Sequence, residues 1–108
     1  MPTEALRAVQ ARVASGWSQD ANARDRFGKE VALGSETATA WTLCSAFALA
    51  GKDGIPMNHL HRALHALADV TEMDSIEDWN NDPSRTQQQV LDALDDAIER
   101  VEGVDSRG

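Results

Sequence analysis

Apolar residues recur at helical spacing in several stretches of this chain and lose that rhythm between them. Leu6, Val9 and Val13 follow Thr3 on one face, while Arg7, Gln10 and Arg12 point elsewhere. This predicts a surface helix of about three turns, ending near Ser15-Gly16. Residues 16–34 are the least regular part. Asp25-Arg26-Phe27-Gly28 is a turn signal, and a short hairpin or an ordered loop both fit. A second helix is predicted from Ser35 or Glu36 to Gly51. No charge lies between Thr37 and Ala50, and Trp41, Leu43, Cys44, Phe47 and Leu49 point round most of the wheel. Such a helix belongs in the middle of a bundle. It is too short for a membrane span.

After the turn Lys52-Asp53-Gly54, Pro56 suits the first position of a third helix with Leu60, Leu64 and Leu67 as its stripe, ending near Val70. Asp74 is placed to cap a short fourth helix through Trp79, stopped before Pro83. Asp82-Pro83 opens a type I turn. Thr86 with Gln89 is a capping box for the last helix, about Gln87 to Glu102, with Gly103 as the stop. Val90, Leu91, Leu94, Ala97, Ile98 and Val101 form its stripe. The expected fold is mostly α: a compact bundle of four to five helices with the ordered loop or short hairpin at about residues 16–34. Residues 1–103 read as one helical domain and 104–108 as a frayed tail.

Composition agrees with helix: alanine is abundant and tyrosine absent. The single cysteine, Cys44, reads as a small buried hydrophobe in a reducing compartment. The N-terminus lacks a basic start and apolar core, so a cytoplasmic location is expected. Charge is unevenly placed. Residues 1–68 hold six acids and seven bases, whereas residues 69–108 hold twelve acids and three bases, a balance of −9. This disfavours direct binding to nucleic acid, whose phosphates need Lys and Arg, and leaves a basic protein partner. The apolar stripes are narrow enough to be filled within one chain, so a monomer or weak homodimer is expected.

Three clusters are candidates for chemistry. His61 and His65 share a helix face near His59, but Arg62 follows His61 where a zinc protease has Glu. They read as exposed polar residues, with no metal or other cofactor implied. The carboxylates from Asp69 to Asp82 read as a solvated face plus caps. Together, Glu77, Asp78, Asp92, Asp95, Asp96 and Glu99 form the candidate acidic interaction face. Trp41 reads as a core anchor, and Trp17 and Trp79 as half-buried rings bonded through their indole N–H groups. Arg24 and Arg85 are placed to link the 16–34 loop to the 79–86 turn through Asp25 or Asp82. The sharper alternative is an anion, small-ligand or enzyme site there, built from Trp17, Gln19, Arg24, Asp25, Trp79, Asn80, Arg85 and Thr86.

Several motifs in order resemble a small family of uncharacterised bacterial and phage proteins. They are Gly16-Trp17-Ser18-Gln19, Ala23-Arg24-Asp25 with Gly28, Trp41 through Ala46, and Trp79-Asn80 through Pro83, Arg85-Thr86 and Val90. The likeness covers about residues 5–101. Asn81 stands where that pattern has Asp, and Thr42 and Ser45 replace its Cys and Gly. Cys44 lies two positions beyond the pattern's Cys, which argues against a shared nucleophile. The resemblance implies a domain of unknown function and no mechanism. With no nucleophile–base constellation, the sequence points to a non-enzymatic acidic interaction protein. It would serve as a phage or mobile-element accessory factor, or as an inhibitor that imitates nucleic acid.

Overall fold

The computed structural model describes residues 2–73 and 75–107, and the side chains of 3–73 and 75–103. The elements follow in the order α1 (Pro2–Ser15), β1 (Ala23–Arg24), β2 (Glu30–Val31), β3 (Ala40–Trp41), α2 (Leu43–Lys52), α3 (Met57–Thr71), α4 (Ile76–Asn80) and α5 (Gln87–Arg107). The fold is mostly α, as the periodicity predicts. Ala5, Leu6, Val9 and Val13 of α1 are sealed from solvent. α1 packs against α5, α2, α3 and β3, so it is the common neighbour of the bundle, in place of the uncharged second helix. A single narrow stripe, closed by the small Ala5, lets it approach several partners at once.

Residues 16–34 form a hairpin that belongs to a three-stranded sheet of order β2-β1-β3. β1 pairs antiparallel with β2 through Ala23↔Val31 and with β3 through Ala23↔Trp41. Asp25 shapes the hairpin turn: its Oδ1 accepts the N–H groups of Phe27 and Lys29 at 2.9 and 3.0 Å. Gly28 takes the left-handed φ of 81° that closes the loop.

The second helix is shorter than its uncharged run suggests, 10 residues from Leu43 to Lys52. Ala40 and Trp41 are in the sheet, and α2 begins only after Thr42, whose buried hydroxyl accepts the N–H of Ser45. Strand pairing to β1 and the Thr42 cap outweigh the helical tendency of residues 36–41. Trp41 is therefore not a core anchor. It is half-buried on β3, bridged to Trp17, with the Arg12 guanidinium 4.8 Å above its ring.

α3 buries Leu60, Ala63 and Leu67, and Leu64 is half-buried. Pro56 caps the helix from just outside it. Ser75 caps α4 by accepting the N–H of Asp78; the cap expected at Asp74 lies outside the described residues. Thr86 and Gln89 bond each other's backbone N–H reciprocally at 3.2 and 3.1 Å, the capping box read from the sequence. α5 then runs through Gly103 to Arg107. Gly103 does not adopt the left-handed conformation that would make it a helix stop.

Candidate functional site

The loop after α1 and the turn after α4 meet at Asn80, the last residue of α4, which is fully buried. Its side-chain oxygen accepts the indole N–H of Trp17 at 2.7 Å and the N–H of Leu43 at 3.3 Å. Its amide nitrogen donates to the Ser18 carbonyl at 3.0 Å and to Asn81 Oδ1 at 2.9 Å. One side chain thus joins the loop, the start of α2 and the turn. Gln19 closes the same seam, donating to the carbonyls of Asn80 and Asp82 at 3.0 and 2.7 Å. Asn81 Oδ1 also accepts the N–H of Asp20, a residue held at a left-handed φ of 65°.

The arginines do not make the carboxylate link expected of them. Arg24 donates to the carbonyls of Gly28 and Gln19, inside its own loop. Arg85 donates from Nε to the Trp79 carbonyl and lies 3.9 Å over the Trp79 ring, while its contact with Asp82 is local and long, at 4.0 Å. Neutral amides span the two segments. Asn80 and Gln19 supply both donors and acceptors, which a guanidinium cannot. Trp17 is half-buried with a bonded indole; Trp79 is buried. Thr86 is spent on its cap.

Asp82 orders the turn that follows. Its Oδ1 accepts the N–H and the hydroxyl of Ser84 at 2.9 and 2.8 Å. These bonds, the backbone one first, hold the Asp82 carboxyl below the usual carboxylate range, with the Arg85 charge adding to them. A group whose pKa is depressed by folding stabilises above its unfolded pKa and loses that contribution as pH falls through the folded one. Ser84→Ala keeps the N–H and removes the hydroxyl. Its expected effect is a partial rise of the Asp82 pKa, read by carboxyl NMR titration; an unchanged value would show that the hydroxyl bond contributes nothing.

The candidate acidic face divides in two. Asp92, Asp95, Asp96 and Glu99 are exposed on α5, opposite buried Val90, Leu94, Ala97 and Ile98. Asp92 accepts from Gln88 and Asp95 from Gln10, and Arg7 pairs with Glu102 at the end of the ridge. Asp78 is exposed on α4. Glu77 is only half-exposed and lines a cavity of about 560 Å³ between α3 and α4, together with Cys44, His61 and His65. His61 and His65 are exposed, and among the described residues no three His, Cys, Asp or Glu are grouped to hold a metal. Sequence reasoning missed Ser18, Asn81 and Thr42 as buried or half-buried bonding partners, and missed the meeting of Cys44 with Glu77. Burial raises the Cys44 pKa, with the Glu77 charge adding to it, so the thiol stays protonated.

A family model matches residues 1–100, and the chain belongs to that family, a family of unknown function (DUF6197). Neither the curated proteins nor the solved structures contain a match to it. No helix among the described residues is long and apolar enough to cross a membrane.

Proposed function

We propose that this protein acts without catalysis, as a small acidic module of a phage or mobile element that engages a basic protein partner in the cytoplasm. The observation that carries this reading is the outer side of α5. Asp92, Asp95, Asp96 and Glu99 stand in solvent there, while the opposite side of the same helix is closed into the core. Such a ridge raises the local concentration of cationic partners and disfavours nucleic acid itself. A ridge of this kind also suits imitation of a nucleic-acid backbone. The alternative small-ligand or enzymatic site between the 16–34 loop and the 79–86 turn is not favoured. Trp17, Gln19, Arg24, Asn80 and Arg85 direct their polar atoms to one another and to the backbone.

The test is capture of a partner from host lysate by the intact chain. Capture is expected to weaken about tenfold between low salt and 0.5 M salt, because exposed charges are screened over roughly 4–10 Å in that range. It is expected to weaken similarly in the Asp92→Asn, Asp95→Asn, Asp96→Asn triple variant, which retains amide acceptors for Gln88 and Gln10. Capture indifferent to both salt and the triple variant would sink the reading. Competition by DNA for the same partner would establish the nucleic-acid imitation; its absence would leave an ordinary acidic interface.

A further inference from the structure

We draw no further inference here: the strongest candidate, the open groove between α2, α3 and α4 that runs from Ile76 past Cys44 and Leu64 to the exposed Met57, has a lining of mixed polarity, and nothing in the structure shows what covers it.

Discussion

Asn80→Ala is expected to destabilise the fold by about 3 kcal/mol or more, because it strands several partners at once. The Leu43 N–H and the Ser18 carbonyl are both bonded to this side chain in buried positions. Each loses its partner in a place water does not reach, at about 1–3 kcal/mol apiece. The Trp17 indole also loses its acceptor, though its half-exposed position eases rehydration. The measurement is urea unfolding, with the midpoint lowered and the slope unchanged. A loss below about 1 kcal/mol would refute the hub role of Asn80. The isosteric Asn80→Asp gives the complementary test. It sets a carboxylate oxygen against the Ser18 carbonyl, and burial with that facing oxygen raises the folded pKa above the unfolded one. Relative to the native chain, the variant is then least impaired at acid pH, below the unfolded carboxylate pKa. It loses ground as pH rises through the folded pKa.

Gly16→Ala is the second large effect. A Cβ there would sit 1.8 Å from the Thr39 carbonyl oxygen and 2.9 Å from its carbon. Both atoms are backbone, and they precede the strand whose Trp41 N–H donates to the Gly16 carbonyl. The clash cannot be relieved by rotating a side chain, so the sheet must open or α1 must shift. A loss of about 3 kcal/mol or more is expected, at the upper end for overpacking. Gly103→Ala is the internal control. Its Cβ would meet nothing within 4 Å, and alanine in a helix interior is expected to add about 0.5–1 kcal/mol. Thermal unfolding of the two variants should therefore move in opposite directions. A stable Gly16→Ala protein would show that α1 and β3 do not lie this close.

The helices were legible where a single period carried them. α1 and α5 each bury a stripe that appears directly in the residue order, and the Thr86–Gln89 cap is a local pattern with a local bond. β3 was not legible. Its uncharged surroundings look helical, and its partners, Ala23 and Gly16, are remote in sequence. The loop–turn meeting was read correctly as a contact and wrongly as an ion pair. Charge is visible in a sequence, whereas the buried geometry that favours an amide such as Asn80 is not. The groove escaped for a similar reason. Cys44 looked like core and Glu77 like surface; only the packing of α4 on α2 and α3 brings them together.

The Gln87 side chain donates to the Val13 carbonyl at 2.8 Å across 74 residues of sequence, and around that bond α1 lies along α5. On the ribosome, the earlier helix must therefore wait for the later one. Leu6, Val9 and Val13 precede all their partners, and although β3, α2 and α3 come sooner, the stripe is closed only when α5 has been translated. Docking of these helices is accordingly a late step in synthesis, and the nascent chain needs shielding from aggregation until then.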